Sequence, residues 1–186
     1  MKVLTTELDG VLILEPRVFA DQRGWFFESY NAARFNEAVG REVTFVQDNH
    51  SRSVKGVLRG IHFQTADAAQ GKLVRVTVGE AFDIAVDLRR RSLTFGQWTG
   101  TTLTADNKRQ FWVPPGFGHA FVVTSEVAEV QYKVDAYWSP DHERSLRWDD
   151  PALGIDWPNA SEISLSDKDR AAPSLSDLER EGDLFE

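Results

Sequence analysis

Many short apolar runs, separated by turn residues, are the feature that most constrains how this chain of 186 residues can fold. Side chains that are apolar at every second position, or rich in β-branched residues, are typical of strands. Gly, Pro, Asn and Asp separate the runs, and no long helical pattern of the kind needed for parallel crossovers lies between them. We therefore predict an antiparallel sandwich or barrel. The predicted strands are Val11–Leu14, Trp25–Tyr30, Val43–Val46, Val57–Phe63, Leu73–Val78, Phe82–Leu88, Trp98–Leu103, Arg109–Val113, His119–Val123 and Val127–Val134.

Helix signals occur in only two places. One covers Asn31–Val39, which Gly40 can terminate. The other lies beyond Ser166, where Ser166 and Asp169 have the spacing of a helix capping box. A chain of this length with 41% hydrophobic residues is long enough for one well-buried core. We therefore expect a single domain over 1–186, with a loosely packed polar and acidic tail at 174–186.

Composition narrows the function classes. The chain contains no cysteine, which removes disulfides and thiolate metal sites, and its N-terminus has no apolar run of signal-peptide or membrane-span length. We expect a cytoplasmic protein that does not act at a membrane. A net charge of −8 argues against a nucleic-acid partner. Arg23, Arg59, Lys72 and Arg75 all lie in one half of the chain, so a local positive pocket for a small phosphorylated ligand is still expected.

Three strand-like runs carry residues suited to removing a carbon-bound proton. Alternation places His62 on one face with Gln64, and places Lys72 on an apolar face with Val74. A lysine on an apolar face needs a reason to be there. Tyr132 lies on the apolar face of a third run, so a base, a cation and a phenol can meet in one cavity. Imidazole suits a general base, and a buried cation suits the stabilisation of a developing enolate.

Each of these residues also has a purely structural interpretation. His62 can be a core histidine with satisfied hydrogen bonds, and Lys72 can extend from a strand end to solvent. Tyr132 can be a core aromatic whose hydroxyl reaches a backbone carbonyl. Asp169 can be only a capping residue, or it can fix the tautomer of His62 if the C-terminal segment folds back. Only the combination of these residues favours the catalytic interpretation.

The run Pro114–His119 is similar to the second half of the cupin metal signature. The first half of that signature requires a paired H-x-H, whereas the corresponding place here contains His62 and Gln64. A divalent transition metal ordinarily needs about three protein ligands, so we predict no metal site. His119 is instead expected to hydrogen-bond a ligand or a strand.

An ordered series of motifs closely resembles the dTDP-4-dehydrorhamnose 3,5-epimerase family over nearly the whole chain. Many ordered matches are more specific than any single motif. The matching motifs are Asp21–Tyr30, Gln47–Ser51, Gly56–His62, Gly71–Arg75, Val86–Arg89, Pro114–Phe117, Tyr132–Lys133, Ser139–Pro140, Glu143–Arg144, Trp148–Pro151 and Leu165–Asp169.

The resemblance implies a fold, a reaction and four catalytic residues. It implies an all-β, cupin-like jelly roll with a few short peripheral helices, which forms a homodimer by exchanging N-terminal strands and needs no metal or organic cofactor. The implied reaction converts dTDP-4-dehydro-6-deoxy-D-glucose to dTDP-4-dehydro-L-rhamnose by epimerisation at C3 and C5, in dTDP-rhamnose biosynthesis. His62 is implied to be the base, Asp169 its partner, Lys72 the enolate stabiliser and Tyr132 the proton donor.

The resemblance also implies residues that hold the sugar and the diphosphate. Phe26 and Trp138 are further candidates for apolar contact with the base or the sugar. One departure from the family pattern is visible, because positions 118–121 read Gly-His-Ala-Phe where members commonly have Ala-His-Gly-Phe. This exchange leaves His119 in place and affects local backbone shape. The implied substrate-binding residues are Arg23, Glu28, Gln47, Asn49, Arg59, His119, Glu143 and Lys168.

The sequence leaves three alternatives to an enzyme that epimerises both C3 and C5. A relative acting at only one carbon, or on another nucleotide-linked 4-keto sugar, would retain the same histidine, lysine and tyrosine. A metal-dependent cupin oxygenase is disfavoured by the missing H-x-H. A noncatalytic jelly roll that binds sugar nucleotides is the weakest alternative, because a base and a phenol are retained.

Overall fold

The computed structural model describes residues 1–65 and 67–186, and most of them lie in or between β-strands. The strands are β1 (Lys2–Thr5), β2 (Leu12–Glu15), β3 (Val18–Asp21), β4 (Gly24–Phe27), β5 (Gln47–Val54), β6 (Leu58–Gln64), β7 (Lys72–Val78), β8 (Glu80–Asp87), β9 (Trp98–Thr104), β10 (Gln110–Val113), β11 (Phe117–Val123), β12 (Val127–Val134) and β13 (Glu143–Ser145). The α-helices are α1 (Ala32–Val39), α2 (Asp167–Arg170) and α3 (Leu175–Glu181).

Two antiparallel sheets form the body of the protein. The large sheet has the order β1-β2-β10-β7-β12-β5, and the small sheet has the order β13-β6-β11-β8-β9. Strands β3 and β4 form a separate two-stranded hairpin. The predicted antiparallel, all-β fold with short peripheral helices is confirmed, and the two sheets make a cupin-like jelly roll.

The core lies in three layers because both sheets bury residues on both faces. Between the sheets, Val74 and Phe111 of the large sheet share a cluster with Phe121 of the small sheet. The outer face of the large sheet packs under α1, and the outer face of the small sheet packs under the C-terminal segment. Such continuous burial explains why strands of the small sheet, above all β11, read as nearly unbroken apolar runs.

Most predicted strands are confirmed within a few residues, but Val43–Val46 is wrong. Val43 and Phe45 pack in the cluster beneath α1 without joining a sheet, and the strand begins only at Gln47. The observed strand β5 is largely polar because it forms an edge of the large sheet. The hydrophobic periodicity at Val43–Val46 therefore indicated buried residues, but these residues do not form part of a strand. The short strands β1, β3 and β13 were not predicted.

Both predicted helical regions are observed. The Asn31 side chain caps α1, and Gly40 ends it in the left-handed region at φ 70°. Among the residues that the structure describes, no helix has the length and apolar character to cross a membrane.

The tail at 174–186 differs from the loosely packed segment expected. Ser174 begins α3 with a complete capping box, and Leu178 on that helix is 1% exposed. The final residues also hold their place, since Phe185 forms a bridge with Arg89 and packs beside Phe63. The polar and acidic residues of this segment form the solvent face of an amphipathic helix, which explains the misleading composition.

We predict that Leu178→Ala lowers the free energy of unfolding by about 3 kcal/mol, because it leaves a cavity between α3 and the small sheet. Urea unfolding followed by circular dichroism measures this loss. Leu93→Ala is the matched control, since Leu93 is 100% exposed and its truncation should change stability by less than about 0.5 kcal/mol. Equal stability of the two variants would show that the C-terminal segment is not part of the core.

Candidate active site

A cavity opens between the two sheets and contains all four residues expected to carry the chemistry. Its volume is about 410 Å³, a size suited to a small organic ligand. His62 reaches it from β6 of the small sheet, whereas Lys72 and Tyr132 reach it from β7 and β12 of the large sheet. Asp169 enters from α2. The imidazole and the phenol therefore stand on opposite walls.

His62 is joined to Asp169 by a short hydrogen bond. Its Nε2 lies 2.5 Å from Oδ1 of Asp169, although the two residues are 107 positions apart. The His62 side chain is partly exposed to the cavity, while the carboxylate is buried. The expected fold-back of the C-terminal segment is thus observed.

The cap of α2 orients this carboxylate. Ser166 Oγ accepts the Asp169 backbone N–H at 3.2 Å, as predicted for an N-cap, and donates to Oδ2 of Asp169 at 2.8 Å. Burial raises the pKa of Asp169, but the hydrogen bonds with His62 and Ser166 outweigh it and leave that pKa below its ordinary value. The carboxylate is therefore held ionised and aimed at the imidazole.

Backbone pairing carries α2 to this position. Ser164 forms a bridge with Val57, and its carbonyl accepts the N–H of Leu58 at 3.0 Å. This contact attaches the C-terminal segment to the start of β6, the strand that carries His62. The histidine and its carboxylate are thus linked through the backbone as well as through side chains.

Lys72 is buried, as its place on an apolar face predicted. It is 8% exposed, and its Nζ donates to the backbone carbonyl of His62 at 3.2 Å. Burial lowers the pKa of Lys72 to about 8, against the opposing effect of the Asp83 and Glu143 carboxylates. The lysine is a cation that gives up its proton unusually easily.

Tyr132 occupies the opposite wall between two neighbours of the large sheet. It lies across from Val74 of β7 and from Asn49 of β5. Burial raises the pKa of the Tyr132 phenol, and the guanidinium of Arg59 only partly offsets this effect. The phenol therefore keeps its proton at neutral pH and is able to donate it.

A second histidine–carboxylate pair lies deeper in the cavity. His119 Nε2 is 2.8 Å from Oδ1 of Asp83, which is 0% exposed. Burial raises the pKa of Asp83, while His119 and Lys72 oppose the shift. Within the described part of the chain, its other oxygen has no hydrogen-bond partner. Sequence analysis missed Asp83, although an aspartate on the inward face of an apolar strand is the same signal that singled out Lys72.

Three more of the expected residues lie at or near the cavity. Arg59 lines it and donates to Ser53 Oγ at 3.1 Å. Lys168 forms an ion pair with Glu143 at 2.7 Å. Burial raises the pKa of Glu143, but Lys168 and His62 outweigh this and lower it. This ion pair is near His62 because Glu143 lies on β13 next to β6.

The remaining expected residues divide into two groups. Gln47 and Asn49 lie on β5 beside β12, where the Gln47 amide donates to Asn49 Oδ1 at 2.8 Å. Arg23 and Glu28 do not line the cavity. Arg23 is on the β3–β4 hairpin with its side chain 85% exposed and paired with Asp21, and Glu28 bonds to Arg34 near α1. One chain therefore does not bring all the expected residues together.

The reversed glycine and alanine at 118–121 have a packing explanation. A Cβ at Gly118 would lie 2.5 Å from a methyl of Ile61, so an alanine does not fit there. A Cβ at Gly60 would lie 2.4 Å from that of Ala120. Gly60 therefore makes room for the neighbouring strand β11.

Comparison with known proteins follows this geometry. Residues 5–177 match the family model described as dTDP-4-dehydrorhamnose 3,5-epimerase. The protein of that name from Salmonella typhimurium is 59% identical, over 94% of this chain and 96% of its own.

Solved structures agree in fold and sequence. The Legionella pneumophila dTDP-6-deoxy-D-glucose-3,5-epimerase, in complex with dTDP-4-keto-L-rhamnose, superposes with a TM-score of 0.95 at 48% identity, covering 99% of this chain and 97% of its own. A 3'-monoepimerase from Streptomyces bikiniensis, in complex with dTDP-quinovose, has a TM-score of 0.92 at 33% identity, with coverages of 97% and 91%. This chain belongs to the dTDP-4-dehydrorhamnose 3,5-epimerase family.

Proposed function

We propose that this protein epimerises dTDP-4-dehydro-6-deoxy-D-glucose at C3 and C5 to dTDP-4-dehydro-L-rhamnose, in dTDP-rhamnose biosynthesis. The observation that carries the proposal is the placement of His62 and Tyr132 on opposite walls of one cavity, with the buried Lys72 beside them. Inversion of a carbon centre requires a proton to leave one face and another to arrive on the other. Family membership supports the substrate and both positions.

In the proposed reaction, the ketone at C4 acidifies the hydrogens at C3 and C5. His62 accepts the proton as the C–H bond breaks, and the electron pair moves to the C4 oxygen as an enolate. Lys72 stabilises that oxygen, because a preorganised cation in a water-poor site acts on charge that develops in the transition state. Tyr132 then donates its proton to the carbon from the opposite face, and the ketone re-forms.

Asp169 acts in this scheme through His62. An ionised carboxylate that bonds one imidazole nitrogen leaves the other nitrogen free to accept a proton. It also stabilises the imidazolium formed after abstraction. The hydrogen bond from Ser166 supports this role because it holds the carboxylate in one orientation.

Substrate binding is assigned to the polar residues around this centre. We propose that Arg59 and Lys168 offer positive charge to the diphosphate, and that His119 and Glu143 contact the sugar. The Gln47 and Asn49 amides on the adjoining edge strand offer further hydrogen bonds. Trp138, which is 57% exposed, offers an apolar surface to the base or sugar.

We further propose that the active form is a homodimer in which the β3–β4 hairpin completes the partner's cavity. The hairpin exposes Phe19, Trp25 and Phe26 and carries Arg23 away from the cavity of its own chain. Exposed apolar clusters of this kind mark interaction surfaces. A two-fold dimer would place both hairpins equivalently, with Arg23 and Glu28 serving the partner and Phe26 offering it apolar surface.

We also propose that 1–186 is a single domain, since one inner cluster joins both sheets, and that the protein works in the cytoplasm. A relative acting only at C3 is the second candidate. The similarity to the Streptomyces bikiniensis 3'-monoepimerase favours it enough to require a test that reports each carbon separately.

The proposed reaction predicts hydrogen exchange at both carbons. Purified protein incubated with dTDP-4-dehydro-6-deoxy-D-glucose in deuterated water should incorporate deuterium at both C3 and C5, with an inverted product. Proton NMR follows each position over time. Exchange at one carbon would establish the single-site alternative, and binding without exchange would indicate either a different substrate or a noncatalytic binding protein.

Two variants separate the proposed base from the proposed acid. His62→Ala should abolish exchange at both carbons, since one base serves both. Tyr132→Phe should retain part of the proton abstraction but impair protonation on the opposite face, so exchange exceeds formation of inverted product. Exchange at the normal rate in His62→Ala would contradict the base assignment.

The lowered pKa of Lys72 predicts a pH dependence of activity. If Lys72 acts as a cation, kcat/KM should fall about tenfold per pH unit above a value near 8, because the ammonium is present below the pKa of about 8 and lost above it. Tyr132, with its raised pKa, does not account for a limb at that position. Lys72→Met should lower kcat about 100-fold and remove this limb. A limb that persists near pH 8 in the variant belongs to another group.

Subunit mixing tests the exchanged hairpin. Arg23→Ala and His62→Ala homodimers should each be weakly active or inactive. After co-refolding of an equal mixture, about a quarter of all sites should be intact, because each mixed dimer has one site with both native residues. Steady-state activity measures the recovery.

The matched control mixes His62→Ala with Asp169→Ala, two residues contributed by the same chain. That mixture should recover nothing, since every site lacks one member of the pair. If the Arg23→Ala mixture also recovers nothing, Arg23 serves its own chain and the proposed exchange is wrong.

A further inference from the structure

Gln64 is a buried amide that hydrogen-bonds to two neighbouring loops, once to the β6–β7 connection and twice to the loop that follows β12. It stands two residues after His62 on β6 and is 4% exposed. Its Nε2 donates to the carbonyls of Ala68 at 2.7 Å and Tyr137 at 3.1 Å, and its Oε1 accepts the N–H of Ser139 at 2.7 Å. A buried amide that uses both donors and its acceptor is costly to replace.

The loop that it holds, residues 135–142, connects β12 to β13 and is called here the mouth loop. Its two aromatic side chains, Tyr137 and Trp138, are 69% and 57% exposed. Adjacent exposed aromatic residues form an apolar patch, and contiguous patches of this kind mark ligand-binding or partner surfaces. The Trp138 N–H also faces the Gln47 side chain at 3.4 Å, so the loop lies beside the edge strand β5.

Further bonds tie both ends of the mouth loop to the β6–β7 connection. The Gln70 amide donates to the carbonyl of Ala136 at 2.6 Å, and the Gly71 N–H donates to Asp135 at 2.6 Å. The Thr65 N–H donates to the carbonyl of His142 at 3.0 Å. Gln64 is the member of this set that reaches the middle of the loop, on both sides of Trp138.

We infer that Gln64 is a positioning residue, whose amide fixes the mouth loop relative to His62 so that Trp138 presents a preformed surface to the nucleotide part of the substrate. This inference rests on the proposed function. A loop that is already ordered avoids the entropy cost of ordering during binding.

The position of Gln64 in the sequence explains why a glutamine suits this role. It occupies the place of the second histidine in the cupin H-x-H pair, directly beyond His62 and Phe63. Glutamine can donate two hydrogen bonds and accept at the same group, which neither a carboxylate nor a neutral imidazole can do. In metal-binding cupins this position supplies a metal ligand, whereas here its side chain holds the mouth loop through hydrogen bonds.

The test measures binding apart from turnover. Gln64→Met has a similar volume but no amide, and we expect it to weaken dTDP binding by about tenfold, measured by isothermal titration calorimetry. KM for the sugar nucleotide should rise in parallel, while kcat and deuterium exchange at saturation stay within about twofold of wild type. Unchanged dTDP affinity, or a loss confined to kcat, would overturn the inference.

A second variant and a second readout guard against simple loss of folding. Gln64→Glu keeps the acceptor for Ser139 but faces two carbonyl oxygens with a carboxylate, so it should weaken dTDP binding at least as much. Hydrogen–deuterium exchange of peptide 135–142 should accelerate in both variants. Ser174→Ala, which removes the cap of α3, is the stability control: it should lower stability by about 1 kcal/mol without changing dTDP affinity.

A double-mutant cycle with Trp138→Ala identifies the route of the effect. If Gln64 acts through Trp138, the double variant should bind dTDP no more weakly than Trp138→Ala alone. Additive losses would overturn the inference. Failure of the wild-type protein to exchange C3 and C5 hydrogens would instead contradict the proposed function, and the dTDP measurements would still decide whether Gln64 positions the loop.

Discussion

Burying ionisable groups between two β-sheets costs free energy unless each group finds a partner, and the arrangement of the cavity follows from that constraint. Asp83 is fully buried and meets His119, while Asp169 is nearly so and meets His62. Lys72 donates a hydrogen bond to a backbone carbonyl and lies near two carboxylates. These interactions reduce the free-energy cost of burying its charge but do not remove it. The cost that remains lowers the pKa of Lys72 to about 8, and this lowered pKa makes the proposed stabilisation of the enolate depend on pH.

The same constraint explains why the C-terminal segment is an integral part of the fold. The carboxylate of Asp169 comes from outside the sheets: Ser164 bridges Val57 just before β6, and α2 then begins at the cavity wall. The helix α3 that follows covers the apolar outer face of the small sheet. A defect in the packing of this segment is therefore expected to disturb both stability and the orientation of His62.

Rigid sheets and short loops divide the proposed work between them. The strands hold His62, Lys72 and Tyr132 in fixed relation, because each side chain projects from a hydrogen-bonded ladder. The mouth loop and the β3–β4 hairpin carry exposed aromatic residues and adjoin or extend beyond this rigid centre. We propose that residues on the sheets carry out the chemistry. The mouth loop is proposed to contact the nucleotide, and the hairpin to contact a second chain.

Local patterns in the sequence were sufficient for most of the strands, the helix caps and the inward faces of Lys72 and Tyr132. Alternation and capping depend on neighbouring residues alone, so they can be read without the fold. The family motifs likewise identified the residues proposed for catalysis. Sequence patterns failed at Val43–Val46 and at the tail, where burial depends on distant elements, and they missed Asp83.

Only the tertiary structure decided which of these residues meet. It brought Asp169 to His62 across 107 positions, placed Asp83 behind His119, and left Arg23 and Glu28 outside the cavity of their own chain. It also placed the mouth loop within hydrogen-bonding distance of Gln64. The periodicity of the sequence determined the face on which each side chain lies, whereas the pairing and packing of the two sheets determined its partners, because those contacts join residues that no local pattern connects.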